Sequence, residues 1–229
     1  LQNWHIKQDK NGIIYVANNE GLLTFDGKNW NLHSLPNKTI VRSVEIGPDN
    51  RIYVGGQDEV GYFSPAKNGL LQYHSLTQFI PIKDRSFGDV WEIISFNKNV
   101  FFRSTNKIFK LTNDLIATYI ANSEWSYLGI CNGKLYAHDY DTGIMIFLND
   151  TWKPLPMSNL LPINDPVTSM LSLQNDSAII VTLKHGLFIL SNTKISSFAN
   201  SNDQLFKNER ISAATKINKD WMALATSNS

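Results

Sequence analysis

Cysteine is nearly absent from this 229-residue chain, and Cys131 stands alone. No disulfide within the chain is possible, so cysteine usage neither demands nor forbids an oxidising compartment. Its apolar setting, Tyr127-Leu-Gly-Ile-Cys131, reads as a small buried hydrophobe and not as an activated thiol. No stretch approaches the roughly 18 consecutive apolar residues of a membrane span. No basic start leads into an apolar run, and Leu1 is no initiator methionine, so a processed segment with any targeting sequence removed is expected. Charge of one sign is missing too: 21 Lys+Arg stand against 20 Asp+Glu, which argues against a nucleic-acid-binding face. There is no helical periodicity of useful length, no G-x-S-x-G and no glycine-rich loop before a helix, which removes the hydrolase elbow and the phosphate loop. No regular Asp-x-Asp-x-Asp run occurs, and Asp139-Tyr-Asp141 is too little for Ca²⁺, so neither metal nor cofactor is expected.

What the chain does contain is a repeat. Short apolar-aromatic runs are centred on Tyr15, Tyr53, Phe101, Tyr136, Ile180 and Met222, at steps of 38, 48, 35, 44 and 42 residues with a mean of about 41. That period suits a four-stranded propeller blade. Internal offsets agree: Tyr15 to Gly21 and Ile180 to Gly186 are six residues, Tyr136 to Gly143 is seven, and Gly21 to Trp30 and Gly143 to Trp152 are both nine.

The fold expected is therefore all-β, a β-propeller with about five and a half blades, over approximately 1–38, 39–84, 85–122, 123–164, 165–208 and an incomplete 209–229. In the first unit the strand signals are Trp4–Gln8, Ile13–Asn18, Leu22–Asp26 and Trp30–Ser34. Lys10-Asn11-Gly12 and Asp26-Gly27 offer the positive φ of tight hairpins. Later units are expected to begin near Ile40, Asp89, Trp125, Val167 and Ile211. All eight prolines are expected between strands, and Ser201–Asn208 to hold a short turn. One blade cannot cover its own two faces, so blade-to-blade contact must make the core, with Trp30, Phe63, Tyr73, Phe147 and Trp152 filling the diverging outer space. The sixth repeat halts after two strands, which reads as an open arc from a longer, seven-bladed or double propeller. Its bare edges favour self-association, through other propeller parts or as a homodimer.

The first unit, Ile6-Lys-Gln-Asp-Lys-Asn-Gly-Ile-Ile-Tyr-Val-Ala-Asn-Asn-Glu-Gly-Leu-Leu-Thr-Phe-Asp-Gly-Lys-Asn-Trp30, resembles the two-component-regulator propeller repeat. Pro48-Asp-Asn-Arg-Ile-Tyr-Val-Gly-Gly56 and His185-Gly-Leu-Phe188 keep parts of that pattern, while the third unit has Asn106-Lys-Ile-Phe109 in place of Gly-Leu. The wording of the first two units is similar to the N-terminal sensor region of Bacteroidetes-type membrane regulators. The resemblance implies a periplasmic sensor of a nutrient signal, often a glycan fragment. A triple-tyrosine sandwich domain, a membrane span and a histidine-kinase or LuxR-like output would follow downstream. It implies no catalysis by this segment, and no membrane contact except through that downstream span.

In a propeller, loops joining the second and third strands emerge on the same face as those joining successive blades. Here they place Asn19, Glu20, Asp58, Glu59, Asp139, Asp141 and His185 in the first set, and Arg42, Asp89, Trp91 and Trp125 in the second. Carboxylates, amides and flat aromatics together suit an oligosaccharide or another small polyhydroxylated nutrient. The alternatives are a propeller glycoside hydrolase or lyase, with acids drawn from Asp89, Glu92 and Glu124, or a protein-interaction scaffold. Thr24-Phe-Asp-Gly-Lys-Asn-Trp30 falls one residue short of a sialidase-type Asp box, and the Gly-His and Trp-Asp pairs of the WD repeat are missing.

Overall fold

A computed structural model describes residues 2–156, 160–162, 164–192, 194–198 and 202–227. The chain divides into two compact units, Leu1–Ala121 and Asn122–Ser229. The first holds three antiparallel four-stranded meanders: β1 (Asn3–Gln8) to β4 (Trp30–His33) through β2 (Ile14–Asn18) and β3 (Gly21–Phe25); β5 (Val41–Ile46), β6 (Ile52–Gly56), β7 (Val60–Pro65) and β8 (Leu71–Ser75); and β9 (Glu92–Phe96), β10 (Asn99–Arg103), β11 (Lys107–Thr112) and β12 (Leu115–Ile120). The second holds two more, β13 (Trp125–Cys131), β14 (Lys134–Asp139), β15 (Gly143–Leu148) and β16 (Thr151–Pro154), then β17 (Val167–Ser172), β18 (Ala178–Thr182), β19 (Gly186–Ser191) and β20 (Lys194–Ser197). A short helix α1 (Asp203–Asn208) leads to the two-stranded sheet β21 (Ile211–Lys216) and β22 (Met222–Thr226). Of the turn expected over Ser201–Asn208, Ser201 lies outside the described residues.

The core lies between sheets and not within them. Tyr15, Ala17 and Leu22 of the first blade pack on Val41, Val44 and Phe63 of the second. Tyr53 and Val60 of the second pack on Val90, Ile93, Phe102 and Phe109 of the third. In the other unit Tyr136 and Ile144 meet Val167, Met170 and Ile180. Because both of their faces are covered, the second strands lose the in–out alternation of a half-exposed sheet. Every residue of β6 and β18 is buried.

Local chemistry explains the repeat signature. Asp9 accepts the backbone N–H groups of Asn11 and Ile13 (2.8 and 2.9 Å) and the hydroxyl of Tyr15 at 3.2 Å. Asp49 does the same for the Arg51 N–H (3.2 Å) and the Tyr53 hydroxyl (3.0 Å). The acid thus shapes the turn and fastens the second strand to it. Gly21 is required where it stands: at φ 137° it opens β3, and a Cβ there would run into the His33 carbonyl oxygen. Elsewhere paired positive-φ residues, Asn97-Lys98, Asn113-Asp114 and Asn149-Asp150, close two-residue hairpins.

Two expectations need correction. Pro65 and Pro154 do not fall between strands: each is the last residue of one, opposite Leu71 and Met145, where the sheet is ending and a lost N–H costs little. Trp30 does not fill space between blades either; it is 56% exposed and stacks on Phe25 of its own blade at 4.7 Å.

One irregularity recurs with the repeat. The register against the second strand slips at Asn3/His5 in β1, Val41/Ser43 in β5, Trp125/Tyr127 in β13, Val167/Ser169 in β17 and Ile211/Ala213 in β21. Each of these five innermost strands therefore opens with a one-residue bulge, at Trp4, Arg42, Ser126, Thr168 and Ser212, while β9 pairs in regular register. Bulges bend a strand and re-aim a side chain. The residue after the bulge faces the neighbouring blade: Ser43 Oγ donates to the Val90 carbonyl at 2.7 Å, His5 Nδ1 accepts from the Val44 N–H at 3.4 Å, and Ser169 Oγ accepts from the Ala214 N–H at 2.8 Å.

Candidate ligand-binding site

The first unit gathers an aromatic–cation–aromatic cluster at the start of its three innermost strands. Arg42 is wedged between two indoles, its Cζ 3.9 Å from the Trp4 ring centre and 5.2 Å from that of Trp91. The two indoles meet edge to face at 6.3 Å. Arg42 Nε donates to Asp89 Oδ2 at 3.0 Å, and Trp4 Nε1 donates to Asn19 Oδ1 at 2.7 Å. The Arg42 and Asp89 side chains are 17% and 21% exposed, so the pair is sheltered yet still reachable from solvent. Arg42 Nη1 is buried and has no hydrogen-bond partner among the described residues. Trp91 keeps an open face, at 39% exposure.

The backbone that carries Asp89 and Trp91 is tightly held. Between β8 and β9 the chain runs through two short 3-10 turns, Thr77–Phe79 and Ile82–Asp84. Arg85 donates to the Ile80 and Gln78 carbonyls, both at 2.8 Å, and Lys107 Nζ to those of Asp84 (3.0 Å) and Ser86 (3.1 Å). Asp58 Oδ1 accepts the N–H groups of Phe87 and Gly88 at 2.6 and 2.7 Å, while its own N–H donates to the Gly88 carbonyl. The Trp91 N–H donates to the Arg103 carbonyl at 2.8 Å. The cluster is thus preorganised before anything binds.

Of the residues singled out in the sequence, Asn19, Arg42, Asp89 and Trp91 come together. Asp58 stands outside that group and holds the loop that carries Asp89 and Trp91. Glu20 is exposed, its N–H capped by Asn18 at 2.9 Å, and stands outside the cluster. Glu59 turns away into its own blade, where Oε1 accepts from Tyr73 (2.7 Å), Ser75 (2.6 Å) and Thr77 (3.2 Å); it builds the fold. In the second unit Trp125 is buried against Trp152 at 5.7 Å and offers no face to a ligand. Asp139 is wholly buried; burial opposes its charge, but the N–H groups of Ser123, Thr142 and Asp141 hold its pKa below the ordinary value. It organises a turn. Asp141 is exposed on that turn. His185, exposed, pairs through Nδ1 with the buried Asp165 at 2.8 Å, a partner the sequence did not suggest.

Trp4 is the residue that the loop argument misses, because it lies in a strand. A signal was available: Trp4 and Arg42 each stand 11 residues before the aromatic of the next strand, and Trp91 stands 10 before Phe101.

The charges of the cluster limit what it can hold. At an effective dielectric of about 20, unit charges ~4 Å apart interact by about 4 kcal/mol, and at ~6 Å by about 3 kcal/mol. An anion brought to Arg42 would lose to Asp89 most of what it gains from the guanidinium. At the far end of the strands a second concavity, of about 500 Å³, is lined by Asp49, Arg51, Tyr53, Lys98 and Asp114. Arg51 there lies over Tyr62 at 4.2 Å and pairs with Asp49 (3.3 Å) and Asp114 (3.7 Å), which makes it a seam between blades.

Solved structures with the same arrangement of sheets cover nearly the whole chain. The extracellular domain of a putative hybrid two-component system from B. thetaiotaomicron matches with a TM-score of 0.72 at 17% identity, over 99% of this chain and 31% of that one. The fold is a β-propeller. A second extracellular domain of this kind from the same organism matches with a TM-score of 0.69 at 12% identity, over 98% of this chain and 32% of that one. Virginiamycin B lyase from Staphylococcus aureus matches with a TM-score of 0.66 at 15% identity, over 93% of this chain and 73% of that one. The propeller described here thus spans about a third of the two-component domains. No protein-family profile and no curated relative matches the chain.

Proposed function

We propose that this propeller is the extracytoplasmic, periplasmic ligand-binding domain of a transmembrane signalling regulator, responding to a glycan-derived or similar nutrient, and does no chemistry of its own. The observation that carries this reading is the Trp4–Arg42–Trp91 stack with Asp89, built from three successive blades on a pinned scaffold. An open indole face beside a sheltered donor–acceptor pair suits a polar ring with one apolar side. The resemblance of the first two repeats to regulator propellers supports the same role, as does the fold shared with two such extracellular domains. The output domain, and signalling itself, would lie in chain beyond this segment.

Binding is favoured over acid–base catalysis because the nearby carboxylates are engaged. Asp89 pairs with Arg42, and Glu92 pairs with the buried Arg103. Each is held by a guanidinium and not left free to face a scissile bond.

A thermal-shift screen of the purified chain against oligosaccharides and other small nutrients tests the reading. Hits should raise the melting temperature, and Trp91→Ala should weaken binding by about tenfold or more, as loss of a stacking face does. A hit whose affinity ignores both Trp91→Ala and Arg42→Gln would place the ligand elsewhere. Turnover of glycosides lost in Asp89→Asn would replace the sensor reading with an enzyme.

A further inference from the structure

We infer that the Arg42–Asp89 pair makes this site selective for neutral saccharides with adjacent free hydroxyls, and that it rejects acidic ones. The inference rests on the binding reading above and adds the charge class of the ligand. A lone arginine between two indoles would suit a carboxylate or sulfate. Here the guanidinium is already neutralised through Nε, with Asp89 Oδ2 at 3.0 Å, and both side chains stay partly exposed, within reach of a ligand. Donor and acceptor therefore sit side by side with no net charge between them. Two neighbouring hydroxyls match that pair, one accepting from the guanidinium and the other donating to the carboxylate, while the ring lies on Trp91. A second anion meets Asp89 and recovers little from Arg42. The neighbouring pair, Glu92 with Arg103, is also balanced and lends no spare positive charge.

Asp89 is then the specificity element: it excludes anions by repulsion as well as holding a hydroxyl. Its position depends on Asp58 and Lys107 fixing the preceding loop, so selectivity is set before any ligand arrives.

Isothermal calorimetry on the whole chain tests this with neutral cello-, manno-, xylo- and malto-oligosaccharides set against oligogalacturonates and oligoglucuronates. Wild type should bind a neutral member at least tenfold more tightly than any acidic one. Asp89→Asn should weaken neutral binding about tenfold and admit an acidic probe, and Arg42→Gln should abolish both, with melting curves of the unliganded variants reporting the fold. If Asp89→Asn fails to fold, the wild-type preference decides alone. Acidic probes binding wild type as well as neutral ones would overturn the charge rule and leave the site standing. Neutral binding untouched by a folded Asp89→Asn would overturn it too. Binding by no probe of either class would sink the inference and the site together.

Discussion

Two histidines set how the protein meets acid. Burial pushes the pKa of His138 down to about 4, against the pull of Asp139 and Asp165, and its Nδ1 lies 2.6 Å from Ser126 Oγ. Burial, helped by Lys7, also takes His5 to about 4, and its Nδ1 accepts the Val44 N–H across the seam between the first two blades. Both rings are neutral in the folded state at neutral pH, whereas in the unfolded chain they take up protons near pH 6.5. Their contribution is therefore complete above pH 6.5 and is lost as pH falls from there towards 4. For the buried His138 the loss is on the order of 3 kcal/mol. Denaturant midpoints should fall steadily between pH 7 and pH 4.5; a flat profile over that range would show that neither ring is sequestered. At this same scale the sequence is easily misread. Glu59 and Asp139 look like ligand groups in loops, and three acceptor contacts or a shell of backbone amides consume each of them.

Between the residue and the blade lies the connection from β8 to β9, which presents Asp89 and Trp91. It contains no long helix or strand, so its order comes from outside: Asp58 receives two of its amides, and Lys107 caps two of its carbonyls. Removing the Asp58 carboxylate strands the part-buried Phe87 N–H, a loss of about 1 kcal/mol, while the exposed Gly88 N–H turns to water. Asp58→Ala should raise amide hydrogen exchange over residues 84–91 and weaken any ligand that depends on Trp91, while exchange in β2 and β3 stays as in wild type. Unchanged exchange in that loop would mean the scaffold does not rely on Asp58. The bulge opening five of the innermost strands belongs to this scale as well. A spacing of 10 or 11 residues to the next aromatic marks Trp4, Arg42 and Trp91 in the sequence. Their side chains meet because the strands that carry them lie side by side, a fact that no spacing conveys.

At the scale of the molecule, stability is a sum of seams between blades, each supplied by apolar faces that a single blade cannot hide. The outer edge of β22 pairs with no strand among the described residues, and Trp221 beside it is 70% exposed. Unpaired edges recruit other chains. The purified segment should therefore self-associate at high concentration in light scattering, and Ala223→Lys with Ala225→Lys should reduce this without lowering the melting temperature; a wild type that stays monodisperse at every concentration would refute an active edge. The repeat, its strands and many of its turns were legible in the chain itself, because apolar-aromatic runs and turn glycines are local and recur about every 41 residues. Which polar groups remain available was decided only by the tertiary structure. Partners 47 residues apart, such as Arg42 and Asp89, meet only when the second and third blades stack, and the charge of that meeting point depends on both at once.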